Sequence, residues 1–434
     1  MSQDYKLFNR NFLLLYQGQF VSRLGSQFFM IAIVLWIKEI TGSASLMGIV
    51  GALSSGVAIL LGPFAGTFAD RASRKKIIVF TDTLNGLIMV WFAASAMIYS
   101  NNIRLLIGIM LTTSVLSAVI SSFFGTAISA AVPDIVPKEK LPAANSMGMF
   151  SMQITSFIGK GIGGLLYAVL GGPILFLING VTFLFSAVSE SFIAIPQRLP
   201  EKQKTFRQES KVFRREIVEG FKYIANYKGL RNLVIISAVL SFFTTPIIIL
   251  LPFYVEKYLL LNDQWYGYLL AIYSVGTMLG YFGAAFFRYK KIPRSAMLIG
   301  AIIAESALYG VLGFISRIFF AVTAAFLIGL LSGYIIVNIT TILQITTPPE
   351  LRGRVFGVLS TIEGSLAPIA MALSGIIADL LNQNIPLIYM FSGIIMVLVS
   401  STMAMFKNFR SFLVEEGRAV LPTPDLQPMA PVVD

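Results

Sequence analysis

The 434-residue chain contains no cysteine and no histidine. The missing cysteines exclude disulfides and thiol chemistry. Together the two absences exclude Cys/His metal centres and histidine proton relays. They also remove most nucleophile–base pairs, and no polar segment is long enough to form a separate catalytic domain, so no enzymatic activity is expected. A Gly-x-x-x-x-Gly-Lys-Ser/Thr loop is missing too, which argues against ATP-driven work by this chain alone. Neither a cofactor nor a metal is expected. Charge is scarce as well: Asp, Glu, Lys and Arg make up 12% of the residues, against about 25% in a soluble domain.

What fills the chain instead is apolar, at 56% hydrophobic residues. Twelve stretches, at 12–37, 46–69, 77–99, 103–131, 143–169, 172–195, 231–256, 264–288, 293–316, 317–345, 353–379 and 385–407, reach the roughly 20 residues needed to cross a bilayer core. Barrel strands would be half as long and alternate in polarity, so helices are expected. The fold class is therefore all-α integral membrane, with twelve transmembrane helices in two six-helix bundles. The first stretch is too long for a cleavable signal and reads as a retained helix. With both ends on one side, that side holds 27 Lys and Arg in its segments. The other holds four, Lys38, Arg104, Lys257 and Arg317. This bias puts both termini in the cytoplasm. The net charge of +12 then belongs to the membrane surface rather than to nucleic acid.

The chain divides into a first bundle over 1–195, a linker over 196–230, a second bundle over 231–408 and a tail over 409–434 expected to be disordered. In the linker Phe213, Ile217, Phe221 and Ile224 recur at helical spacing amid Arg214, Arg215 and Lys222. They predict an amphipathic helix lying on the inner leaflet. "VPDIVPKEKLPAANSMG" after the fourth stretch echoes "QITTPPELRGRVFGVLS" after the tenth, consistent with a duplicated six-helix unit.

Between the second and third stretches, "GTFADRASRKKIIVF" packs one acid and four bases into a short turn. Orientation alone explains the bases. Asp70 is left over, because an acid at a helix C-terminus faces the negative end of the dipole and needs a cation or another helix's N-terminus. Gly66-x-x-x-Asp70-Arg71-x-Ser73-Arg74-Lys75 resembles the loop signature of the major facilitator superfamily, with Ser73 in place of its second glycine. "LRGRVFGV" at Leu351–Val358 and Val21-Ser22-Arg23-Leu24-Gly25 fit the same superfamily, over residues of about 10–408. The chain looks closest to its drug-efflux branch, which includes macrolide and enterobactin exporters. The resemblance implies a latch. Asp70 would meet Arg74 and the backbone amides near Gly353 to Phe356, locking the two halves, with Gly66, Arg71, Lys75, Arg352 and Arg354 completing the gating set.

Ionisable groups deep in a helix are costly and rarely face lipid. Arg23 lies 11 residues past Phe12 and Glu363 11 past Arg352, each roughly 16 Å into its helix. Glu305 is equally deep, and Lys160 lies in the outer half of the fifth stretch. Glu190, six residues before Pro196, is expected to snorkel to the interface. The resemblance puts Arg23, Lys160 and Glu363 on cavity-lining helices and Glu305 outside them; all four are candidates for proton coupling or cavity charge, with a structural polar contact as the other reading of Glu305. Glu363 is the candidate proton site, its partnership with Arg23 or Lys160 switching on protonation. The alternative is a static buried ion pair. In "SFIGKGIGG" the glycines Gly159, Gly161, Gly163 and Gly164 permit close packing at the interface of the halves. Lys160 stands where the superfamily's antiporter signature has proline. Softer cavity candidates are Gln17, Gln27, Gln153, Thr244, Thr245, Asn338, Thr341 and Gln344, with Trp36 and Tyr273 as apolar wall.

Three functions remain open on these grounds. The first is a monomeric secondary transporter exporting amphiphilic or lipophilic small molecules by alternating access, exchanged against protons. The second is a lysolipid, lipid or siderophore transporter of the same fold. The third is a non-transporting membrane sensor or scaffold.

Overall fold

A computed structural model describes residues 7–196, 206–286 and 294–414. Among these, all regular structure is helical. The helices are α1 (Arg10–Thr41), α2 (Ala44–Arg71), α3 (Arg74–Ile98), α4 (Ile103–Ile135), α5 (Leu141–Ser191), α6 (Phe206–Asn226), α7 (Lys228–Ile249), α8 (Leu251–Lys257), α9 (Gln264–Phe286), α10 (Arg294–Val311), α11 (Ile318–Thr346), α12 (Pro349–Leu380), α13 (Ile385–Met405) and α14 (Lys407–Val414). Among the described residues, ten helical stretches are long and apolar enough to cross a membrane. α5 runs 51 residues and breaks at Gly171, whose φ of 75° is open to glycine and closed to most other residues.

Local chemistry sets the ends. Asn9, Ser43, Asn102 and Asn384 each accept a hydrogen bond from the backbone N–H three residues on, at 2.9–3.3 Å. Each satisfies a donor that the first helical turn leaves over. Pro142, Pro252, Pro349 and Pro386 sit in first turns, where their missing N–H costs nothing. Several helices run two to four residues past the apolar stretches, because the charged flanks are helical too.

The chain ends that are described lie at one end of the bundle, the termini end. Asn9 Nδ2 donates to the Ile135 carbonyl at 2.8 Å, and Phe412 packs on Gly229. The opposite, far end holds one continuous apolar core drawn from the whole chain: Ile31 to Val50, Phe92 to Met110, Leu175, Phe253, Ala324 and Tyr389 all belong to it. At the termini end the buried apolar residues fall into separate sets. One side has Phe12, Leu15 and Ile193, with Ile77 and Ala131 nearby. The other has Tyr223, Leu233, Val355 and Phe412. The molecule is joined at the far end and divided at the termini end.

Two expectations change. α6 does form, but it is docked on protein: Tyr223 and Ile224 are buried against α7 and α12, while Phe221 turns outward at 58% exposure. Gly220 lets the helix come close to the Arg354 carbonyl. Phe213 lies outside the described side chains. The tail over 409–434 is not structureless from its start. Phe409, Phe412 and Leu413, at i, i+3 and i+4, bury one face of α14; residues 415–434 lie outside the description.

Candidate functional site

A cavity of about 800 Å³ opens between the two sides of the molecule. α1, α2, α3 and α4 wall one side with Ile33, Met47, Ser54 and Ser117, and α7 and α12 the other with Thr245, Ile249 and Met371. The wall is aliphatic and dotted with hydroxyls, and no charged side chain among the described residues lines it.

The far end closes this cavity with polar clamps as well as oil. Lys38, 7% exposed, sits between two acids across the divide. Its Nζ lies 3.0 Å from Glu256 Oε2 and pairs also with Asp263. A buried lysine without such partners would be costly. Asp379, near the C-terminus of α12, reaches the N-terminus of α2. It accepts from Ser45 N at 2.8 Å, Ala44 N at 3.2 Å and Ser43 Oγ at 3.0 Å. Gln383 Nε2 donates to it at 2.9 Å. A carboxylate on free N–H groups at the positive end of a helix is doubly favoured. α2 and α12 run antiparallel at backbone contact there. A Cβ at Gly48 would sit 2.2 Å from the Met371 carbonyl, and one at Gly375 2.2 Å from that of Ala44. Further along, Gly364 lies against Ile59. The same register carried to the termini end sets Asp70 opposite Gly353, but Gly62, Gly353 and Gly357 have open space around them.

The expected gating residues are only partly visible. Gly66 and the side chains of Asp70 and Arg71 lie outside the description. Arg74 pairs with Asp134 of α4, and Nη1 donates to the Ala130 carbonyl at 3.0 Å. Lys75 is half-buried. Arg352 Nε donates to the Thr347 carbonyl at 3.1 Å, and Arg354 Nη1 meets Glu219 Oε2 of α6 at 2.6 Å. Glu219 and Asp134 are partners that the sequence does not single out, although each stands within a charged segment.

The intramembrane charges stand apart from one another in this state. Arg23 donates to the Gly148 carbonyl of α5 at 3.4 Å. Glu363 and Lys160 are half-buried, and no ion pair joins Glu363 to Arg23 or Lys160 among the described residues in this state. Glu305 accepts a hydrogen bond from Ser332 of α11. Glu190 corrects the snorkelling expectation: it is 1% exposed and accepts from Gln19 Nε2 at 2.8 Å. Its helix turns it onto α1 and α3 rather than toward the interface.

None of Gln27, Gln153, Thr244, Asn338 and Gln344 lines the cavity; Thr245 does. Gln27 packs on Gly159, Gln153 and Gln344 are exposed, and Asn338 is buried and donates to the Tyr334 carbonyl at 2.7 Å. Trp36 is core, edge-on to Phe92 and Phe176. The glycines of α5 divide their work: Gly161 and Gly164 face α9 across the divide, and Gly159 and Gly163 face α1.

Known proteins agree with this architecture. Macrolide efflux protein A of Streptococcus pyogenes is 24% identical over 94% of this chain and 98% of its own. The multidrug efflux pump Tap of Mycolicibacterium fortuitum is 25% identical over 77% of this chain and 80% of its own. A bacterial homologue of the iron transporter ferroportin, solved in an inward-facing state, superposes with a TM-score of 0.69 at 14% identity, covering 92% of this chain and all of that one. The family model of the Major Facilitator Superfamily matches residues 15–371. With helices that cross a membrane many times and a cavity between two packed sides, this chain is a transporter and not an enzyme, and it belongs to the Major Facilitator Superfamily.

Proposed function

We propose that the chain is a monomeric secondary transporter of the bacterial plasma membrane, exporting amphiphilic or lipophilic small molecules by alternating access in exchange for protons. The observation that carries this reading is the uncharged cavity of about 800 Å³, sealed at the far end and set against a divided termini end. Its volume suits a drug-sized ligand. Its hydroxyl-dotted aliphatic wall suits an amphiphile better than a sugar phosphate or dicarboxylate. The efflux relatives point the same way. Counting α5 as two crossings and adding α9 brings ten to twelve, six on each side of α6. The Lys/Arg bias puts both termini, and so the divided end, in the cytoplasm. The two states then exchange latches. Asp379 on the N-terminus of α2 holds the far end here, and Asp70 on the start of α12 would hold the termini end in the other. Glu363, half-buried without an ion-pair partner among the described residues, is the proton-site candidate.

The test uses purified protein in liposomes under an imposed pH gradient. Internal pH is followed while a macrolide, a lipophilic cation dye, a catecholate siderophore or a lysolipid is added. Proton flux triggered by the macrolide or dye, and lost in Glu363→Gln, is the expected result. Compound movement without proton flux would refute antiport. Uphill transport persisting in Glu363→Gln would refute the role of Glu363. Response to the lysolipid or siderophore alone would shift the cargo class, and silence toward all four would refute the proposed amphiphilic cargo.

A further inference from the structure

Away from the cavity, α1, α3 and the 172–191 arm of α5 enclose a group of oxygens that do not line it. Asp82 and Ser186 are fully buried, Glu190 is 1% exposed, Asn85 3% and Gln19 6%. Asp82 and Glu190 neighbour each other, and Ser186 lies beside both. Asn85 stands one turn along α3 from Asp82, on the same face. One hydrogen bond is made, from Gln19 Nε2 to Glu190 Oε1. Both Asp82 oxygens, Glu190 Oε2, Ser186 Oγ and Asn85 Oδ1 have no hydrogen-bond partner. No Lys or Arg pairs with either acid among the described residues. Arg23, the cation on the adjoining stretch of α1, instead lines a neighbouring cavity of about 320 Å³ together with Gln19, Ser22 and Asn85.

Buried carboxylates are normally paired with a base, hydrogen-bonded or bound to a metal. Here no base pairs with either acid among the described residues, and the close approaches among Asp82, Ser186 and Glu190 do not meet hydrogen-bond geometry. A proton shared between the two carboxyls would bridge them but leave the Asn85 carbonyl oxygen without a partner. A hard cation takes carboxylate, amide and hydroxyl oxygens into one shell. The donors are all oxygen, which selects against the softer transition metals. Only two acids gather, and no set of three His, Cys, Asp or Glu forms a metal cluster among the described residues. Neutral oxygens must therefore complete the shell, and two negative charges match a divalent ion. We propose that Asp82, Glu190, Ser186 and Asn85, with Gln19 at the edge, bind one divalent hard cation with calcium's coordination habits, reached through the cavity that Gln19 and Asn85 line. The ion ties α1, α3 and α5 together whatever cargo the protein carries.

The test titrates CaCl2 into the chelator-stripped full-length protein in detergent near neutral pH, by equilibrium dialysis with radioactive calcium and by thermal unfolding, with MgCl2 and NaCl alongside. Expected is one calcium per chain, saturating between about 10⁻⁷ and 10⁻³ M, with a raised unfolding midpoint. Asp82→Asn and Glu190→Gln each weaken binding by about tenfold or more. Ser186→Ala keeps both charges and the fold and still weakens it several-fold, so the site remains testable if an acid variant misfolds. Glu139→Gln, exposed at the termini end, binds as the parent does. Absence of saturable binding to the folded parent, or equal binding by the folded acid variants, overturns the proposal. So does a midpoint that follows pH but ignores calcium, which would mark a shared proton.

Discussion

Replacing Asp379 by Asn removes a charge from the far-end seal while keeping its shape. The carboxylate serves four donors at 2.8–3.2 Å: two backbone N–H groups, Ser43 Oγ and Gln383 Nε2. The amide accepts through one oxygen only, and its Nδ2 must face a donor. Hydrogen bonds to a charged group contribute about 1.5–3 kcal/mol each, and an anion at a helix N-terminus about 0.3–1 kcal/mol. Asp379 is only partly buried, so the lower end applies, a net loss of about 2 kcal/mol for the sealed state. That shifts the equilibrium roughly 30-fold. A far-end-open population of about 1% would rise to roughly a quarter. The native chain has no cysteine, so a pair introduced at Asn101 and Phe314 can be spin-labelled without background. Both positions are exposed, on turns at the far end. Double electron–electron resonance in liposomes should show a second, longer distance in Asp379→Asn. Asp70→Asn, acting on the opposite latch, should not raise it. Superimposable distributions for the parent and Asp379→Asn would refute the assignment of Asp379 as a latch.

Gly375→Val places a side chain where even a Cβ would lie 2.2 Å from the Ala44 carbonyl. It should open the same label pair and lower transport in the liposome assay at unchanged expression. Phe92 is fully buried and stacked on Phe176 with centroids 4.7 Å apart. Phe92→Ala should cost about 3–5 kcal/mol and lower the thermal inactivation temperature in detergent, with the cavity itself intact.

The helices were legible because a bilayer demands length and apolarity, and both are properties of the string. α1 to α4 and α9 to α13 fall where the stretches predict, within a few residues. The break in α5 was legible as the gap at Gly171. The cavity was not. Polar residues on helices nominally facing inward, such as Gln27 and Asn338, were spent on packing and on local hydrogen bonds, while aliphatic residues and hydroxyls took the wall. Periodicity does not reveal which face meets a neighbour when both faces are apolar. Asp82 was passed over because it sits eight residues past Arg74, where the charged turn masks it. Glu190 was seen and misplaced because depth along a helix was counted without its azimuth. The signal that would have found the pair is spacing. Asp82 and Asn85 share one face of α3, and Ser186 and Glu190 one face of α5.

The dipole reasoning that singled out Asp70 applied with equal force to Asp379, which closes α12 in the sequence "IIADLLNQ". Both are acids in a final helical turn, where the macrodipole disfavours them unless something else repays the cost. For Asp379 the compensation comes from the free N–H groups of α2, an antiparallel partner whose first turn lies beside the last turn of α12. That compensation is conditional. It exists only while the two helices are in contact at that end, so an acid there makes the contact's free energy depend strongly on a small separation. An aliphatic residue in its place would make a shallower, more gradual seam. A transporter that must hold one end shut and then release it gains from the steeper dependence, because a separation of a few ångströms removes several hydrogen bonds at once. The glycines at Gly48 and Gly375 serve the same end by bringing backbones close enough for a short side chain to reach across.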